Sequence, residues 1–324
     1  MHPLKSTCIF LIVAIMVGIM VWRYTARHPV PAHAGVSHVS PATSPFEKNA
    51  LPLPKPIRHE DFQNKTVATS SELLDRYNAG TNMRDFVAYA LQHPEIGGYF
   101  YANQVLRECH GVRIGTDIGG TSLPTYTLGE DSGRFLKTTQ AADAIRRRCA
   151  DFLPDELENN RTSDLWEKGK TIDPLIKATD RYTRAFSESL KNPESVSMRR
   201  TAMEDILKTA DPLVVDTLGL RLAIDSEHGK RGYFIDGRFH DLNSDVDVGL
   251  ALSLLPCGMG LDCGPNEFNT LLKCATGGDC LQGRFQQTET MLREKPGSYA
   301  KVLALYESMV TAVQRGDARF FIRH

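Results

Sequence analysis

The chain has 324 residues, 41% of them hydrophobic, ample for one or two domains with a real core. Its net charge of −1 excludes the strongly basic balance of a nucleic-acid-binding protein. The longest basic run, Arg146-Arg147-Arg148, reads as the solvated face of a helix.

Cys8 to Trp22 (CIFLIVAIMVGIMVW) is an unbroken apolar stretch, with Lys5 before it and Arg23 and Arg27 after it. With Ser6, Thr7 and Tyr24 it reaches the lower end of the roughly 17–25 residues that a helix needs to cross a bilayer. Residues 1–24 are therefore expected to be an N-terminal transmembrane anchor, spanning with residues 6–24. Ala32-His33-Ala34 keeps cleavage after Ala34 open as the alternative. The flanking charges leave orientation close to a tie. Seven prolines between His28 and Pro56, among small and polar residues, make 25–68 a semi-extended tether. The folded domain is expected over 69–324.

From Thr69 onward the pattern is helical. Thr69-Ser70-Ser71-Glu72 is a capping-box start. Asn82 with Asp85 opens a second helix, which ends at His93-Pro94. A third helix carries Tyr99, Ala102, Leu106 and Cys109 on one face. Further helices are expected near 139–150, 173–190, 197–209, 211–225, 245–256, 265–275, 281–293 and 298–315. Leu213–Ile224 and Val246–Leu255 are apolar nearly all round, which places them at the centre. The last helix buries Val302, Tyr306, Met309 and Val313. Asp236-Gly237 between Tyr233-Phe234-Ile235 and Arg238-Phe239 signals a tight hairpin. The expected fold is all-α, a helix-hairpin array or an irregular multi-helix domain, with one small β-hairpin near 232–240.

Asp173-Pro174-Leu175-Ile176 recurs 38 residues later as Asp211-Pro212-Leu213-Val214, each an aspartate cap followed by proline at the first helical position. The spacing is near that of helix-pair repeats, although Asp-Pro is also simply a strong helix start. The stretch from Gly98-Tyr99 through Ala102 and Leu106 to His110-Gly111-Val112 resembles a Sel1-type repeat, a relative of the tetratricopeptide repeat. That resemblance implies helix pairs stacked into an extended concave surface, and hence binding.

Outside the apolar segment six cysteines remain, an even set behind an export-type N-terminus, which favours disulfides in an oxidising compartment. Cys109 and Cys149 both continue buried helical stripes and are expected to pair. In Cys257-x5-Cys263-x10-Cys274-x5-Cys280, zinc would want closer spacing, and each Cys-x5-Cys brackets a glycine-containing turn. Local pairs Cys257–Cys263 and Cys274–Cys280 are expected. In the crossed arrangement Cys274 would lie nine residues along its helix, about 14 Å from where Cys257 could reach.

Other patterns are weaker. Asp241-x-Asn243-x-Asp245-x-Asp247 begins like an EF-hand loop but has Val246 for the glycine and Leu252 for the bidentate glutamate. A capping box between Ser244 and Asp247 accounts for it better. Ser298-x-x-Lys301 matches a penicillin-binding serine–lysine pattern without its partner motifs, and Ser298 reads as a helix N-cap. Gly115 to Ser122 resembles a P-loop lacking its lysine. His93 and His228 are placed at helix ends.

The span from His110 to Lys137 shows no clear helix, and is too apolar for plain disorder. With Ile114, Ile118, Leu123, Tyr126 and Leu128 it is the candidate binding loop, a packed structural loop being the alternative. No pattern implies a catalytic residue, a metal site or a cofactor. The expected function is periplasmic binding or scaffolding at the inner membrane, with envelope proteins as partners. A cell-envelope hydrolase and a purely structural envelope protein are the alternatives.

Overall fold

The computed structural model describes residues 71–80, 82–117, 132–227, 230–276, 280, 283–295 and 297–323. The expected anchor and tether lie outside these. No helix among the described residues is long and apolar enough to cross a membrane.

Among the described residues the chain is mostly helical with one small sheet. Helices α1 (Ser71–Ala79) and α2 (Met83–Ala90) lead in. Asn82 caps α2 as expected, its Oδ1 accepting from the N–H groups of Arg84 and Asp85. Helix α3 (Gly98–Asp117) is followed by α4 (Ser132–Cys149), α5 (Asn159–Ile172), α6 (Pro174–Ser189), α7 (Val196–Thr209) and α8 (Pro212–Leu218). Strands β1 (Ile224–Glu227), β2 (Lys230–Ile235) and β3 (Arg238–Asp241) come next. Helices α9 (Val246–Gly258), α10 (Phe268–Ala275), α11 (Arg284–Met291) and α12 (Ser298–Arg315) close the chain.

Helix α3 is central. Phe100, Tyr101, Ala102, Asn103, Val105, Leu106 and Cys109 are all buried, so it is enclosed well beyond the single stripe visible in sequence. Helices α2, α3, α5, α6 and α7 each pack on the next, α9 packs on α12, and α4 leaves this run to pack on α10. Ala141, Ala142 and Ile145 of α4 join Phe268 and Leu271 in a second, smaller core.

The two Asp-Pro starts cap as expected and also do more. Asp173 Oδ1 accepts from the N–H groups of Leu175 and Ile176, and Asp211 Oδ1 from those of Leu213 and Val214. The second oxygens turn to the first turns of α3: Asp173 Oδ2 accepts from Phe100 N at 3.0 Å, and Asp211 Oδ2 from the Tyr101 hydroxyl at 2.9 Å. Both aspartates are fully buried. These two contacts predict different tolerance to amide substitution. In Asp173→Asn the new NH2 would face a backbone donor, costing about 2 kcal/mol. In Asp211→Asn it can donate to the Tyr101 oxygen, costing under about 1 kcal/mol. Equal shifts of the urea midpoint in the two variants would refute this.

The three disulfides are Cys109–Cys149, Cys257–Cys263 and Cys274–Cys280, with Cα separations of 5.5, 5.6 and 4.5 Å. These are the pairings expected from helix direction and spacing.

Four expectations are corrected. The helix expected over 211–225 stops at Leu218, because Gly219 takes φ 51° and ψ −129°, a conformation open to glycine. The chain then turns through Gly219–Leu222 into β1. The hairpin is therefore part of a three-stranded antiparallel sheet, β1-β2-β3, in which Ile224 pairs with Tyr233 and Phe234 with Phe239. Its β2–β3 turn is the expected one, with Asp236 and Gly237 both at positive φ. Helix α5 is an addition: its sequence is polar, and it is held by the Leu165 and Trp166 side, Trp166 lying beside Phe100. The supposed loop from His110 is shorter, since α3 runs on to Asp117 and α4 begins at Ser132. Gly111 is exposed with open space around its α-carbon, so the helix bears it at a cost of about 1 kcal/mol.

Candidate binding clefts

The first cleft, of about 380 Å³, lies over α8, α9, α10 and α11. One guanidinium joins all four helices. Arg284, the first residue of α11, grips Asp216 of α8 through two bonds of 2.5 and 3.2 Å. It also donates to Glu267 at 3.0 Å and to the Ser253 carbonyl of α9 at 3.2 Å. Glu267 is the N-cap of α10, accepting from the N–H groups of Asn269 and Thr270 and from the Thr270 hydroxyl. Burial works against the charge on Glu267, but Arg284 and these donors outweigh it, and its carboxyl sits below the usual range. Burial likewise opposes the charge on Arg284, yet Asp216 and Glu267 hold its pKa well above the ordinary value. Both groups thus stay ionised, which makes the cluster a fixed ionic joint. The wall opposite carries Lys273, whose ammonium donates to Gln287 at 3.2 Å, and the exposed Met291.

The second cleft is larger, about 710 Å³, and open along α5, α6 and α7. Lys177, Arg181 and Arg184 line it at helical spacings of four and three, so they form one stripe on α6. Lys170 of α5 stands across from them, and Met198 of α7 contributes an apolar edge that is 55% exposed. Asp180 is shared between Arg184 at 2.7 Å and Lys170 at 3.7 Å. Arg181 reaches Asp205 at 2.5 Å.

Two further carboxyls are pushed toward neutrality, and neither lines these clefts. Burial raises Asp173 to about 6, against the pull of its backbone donors. Burial raises Glu108 of α3 to about 7, although Gln104 and Tyr77 both donate to its Oε1, at 3.1 and 2.8 Å. The sign for stability follows. A carboxyl whose folded pKa is raised binds its proton more tightly in the folded state. Glu108 therefore stabilises fully below the ordinary glutamate pKa, about 4.3, and that contribution is lost as pH rises through about 7. Between those limits the loss amounts to about 2 kcal/mol, after discounting for partial access of solvent. Glu108→Gln should flatten this part of the urea-midpoint profile between about pH 4.5 and 7.5. An unchanged slope would show that Glu108 titrates normally.

Of the residues singled out in sequence, the six cysteines form the disulfides. Ile114 lies on α3 rather than in a loop, and Ile118, Leu123, Tyr126 and Leu128 lie outside the described residues, as does His228. The EF-hand-like acids are dispersed among local partners. Asp241 Oδ1 accepts from Asn243 N, Asp245 Oδ2 accepts from Asp241 N, and Asp247 is 4.0 Å from the Lys301 ammonium. The expected capping box is not formed: Asp245, not Ser244, is the cap residue of α9, and its carboxylate accepts from Asp241 N instead of from the first turn of the helix. Among the described residues no group of three or more His, Cys, Asp or Glu is placed to hold a metal ion. Ser298 is the first residue of α12, and Gly297, at positive φ, takes the cap position instead. His93 follows α2 and pairs with Glu95 at 3.4 Å. Arg146 pairs with Asp143, whereas Arg148 turns in to donate to the Asn266 carbonyl. The α6 stripe was missed in sequence, although the 177, 181, 184 spacing carries it. Comparison of the chain with protein-family models, curated proteins and solved structures returns no match.

Proposed function

We propose that this is an extracytoplasmic binding or scaffolding protein, held at the inner membrane by residues 6–24 and working in the periplasm on envelope proteins. The observation that carries the binding role is the open groove along α5, α6 and α7. Three consecutive helices present it, with charged and apolar side chains facing solvent, as a docking surface requires. The three disulfides support an oxidising compartment. The units α5–Asp173–α6 and α7–Asp211–α8, each a helix, an Asp-Pro corner and a helix, support the Sel1-like, helix-pair reading. A hydrolase is less favoured, because Asp173 and Glu108, the carboxyls that burial pushes toward neutrality, line neither cleft.

The test is site-specific photocrosslinking of the full chain in intact cells, from Met198 in the groove and from the exposed Glu204 outside its lining. Adducts with exported proteins from Met198 alone, recovered with membranes after a salt wash, are expected. No adduct, or the same adducts from both positions, would overturn the binding role. Adducts in a salt-washed soluble fraction would overturn the anchor.

A further inference from the structure

We infer that the groove along α5, α6 and α7 receives an acidic, extended segment of a partner protein, an inference that rests on the binding role proposed above. Its lining holds four cations, Lys170, Lys177, Arg181 and Arg184, against two carboxylates, Asp180 and Glu188. The carboxylates are already engaged: Asp180 by two cations, and Glu188 by Lys191 at 3.4 Å. Lys177 has no carboxylate within ion-pair distance among the described residues. Lys170 also pairs with Glu167 at 2.7 Å and Arg181 with Asp205 at 2.5 Å, so the positive charge that the groove leaves without a partner is that of Lys177, and an anionic occupant complements it.

Spacing and composition narrow the class. Residues 177 to 184 rise about 10 Å along α6, in steps of about 6 and 4.5 Å. An extended chain repeats side chains on one face every 6.5–7 Å or so, close enough for alternate acidic residues to meet successive cations. Asp180 stands within the stripe and Glu188 one turn beyond it, and Met198 and Ala185 offer apolar contact beside it. A uniform polyanion would leave the apolar edge unused. A peptide that alternates carboxylates with apolar side chains uses both.

The probe is a fluorescein-labelled peptide of alternating aspartate and leucine, titrated by anisotropy with the full-length protein in a neutral detergent. Binding is expected, weakening as salt rises from about 0.05 to 0.3 M. K177S/R181S/R184S should lose about tenfold in affinity, because only exposed ion contacts are removed and the fold does not depend on them. An unchanged urea midpoint checks that last point. M198S should weaken binding without altering its salt dependence. A lysine–leucine peptide should not bind. Equal binding by the triple variant would overturn the inference. So would tighter binding of inorganic polyphosphate or phosphatidylglycerol vesicles than of the peptide, since that assigns the groove to another class. Groove-specific crosslinks in cells without acidic-peptide binding would refute the ligand class and leave the binding role standing. Absence of both would sink the two together.

Discussion

Removing Arg284 should be among the most damaging single changes in the domain, with Arg284→Ala costing on the order of 3–5 kcal/mol. The loss is not the value of the ion pairs themselves, since taking three charged groups out of water offsets much of their attraction. It comes from what remains. Glu267, with its side chain 7% exposed, and Asp216, at 19%, would face each other with no cation between them. The Ser253 carbonyl would lose its donor too. The joint between α8, α9, α10 and α11 would then hold like charges instead of opposite ones. Arg284→Lys should recover only part, because one ammonium cannot reproduce the two-bond grip on Asp216 together with the contact to Glu267. A more telling comparison is R284M combined with D216N and E267Q. No charge is then left buried alone, but the E267Q amide keeps only one oxygen for the two N–H groups that cap α10, at a cost of about 2 kcal/mol, so part of the loss should be regained. Urea unfolding at neutral pH reads all three. A triple variant no more stable than R284A would show that the guanidinium acts through its packing rather than through charge.

The second large effect concerns Cys109–Cys149. This bridge closes a 40-residue loop, which in the chain-entropy model contributes about 4 kcal/mol. Cys274–Cys280 closes a separation of 6, for which the same model gives about 2 kcal/mol. The pair C109A/C149A should therefore lose roughly twice as much as C274A/C280A. Alanine is preferred to serine at 109, because that position is 2% exposed and a hydroxyl there would be buried. The longer bridge also ties α3, whose first half is largely buried, to α4, which otherwise belongs to the second core with α10. Its loss should let α4 and α10 unfold ahead of the rest, seen as early hydrogen exchange at Ala141, Ala142 and Leu271. Equal losses in the two double variants, with exchange unchanged, would mean that the long loop is already restrained in the unfolded chain.

Much of the element layout could be read from local pattern. Asn82, Asp173 and Asp211 carry their capping chemistry in their own side chains, and the last helix shows its buried stripe at unbroken three- and four-residue spacing. Asp236-Gly237 specifies its turn because few residue pairs accept two positive φ angles. The cysteine pairing followed from where each cysteine stands on its helix and how far a disulfide can reach. Each of these is settled within a few residues or by the rigid rise of one helix.

What tertiary structure decided depends on partners far away in the chain. Helix α5 has too few apolar residues to announce itself, and becomes a helix because Leu165 and Trp166 meet the side of α3 that Phe100 presents. Strand β1 carries little pattern of its own and exists by pairing with β2, once Gly219 has ended α8. The second oxygens of Asp173 and Asp211 find α3 from 73 and 110 residues away, contacts that no local spacing encodes. Arg284 draws its two carboxylates from positions 68 and 17 residues distant. The groove is of the same kind. The stripe on α6 is written in the sequence, but only the packing of α5 and α7 beside it makes a cleft, because a surface becomes concave only where separate elements meet.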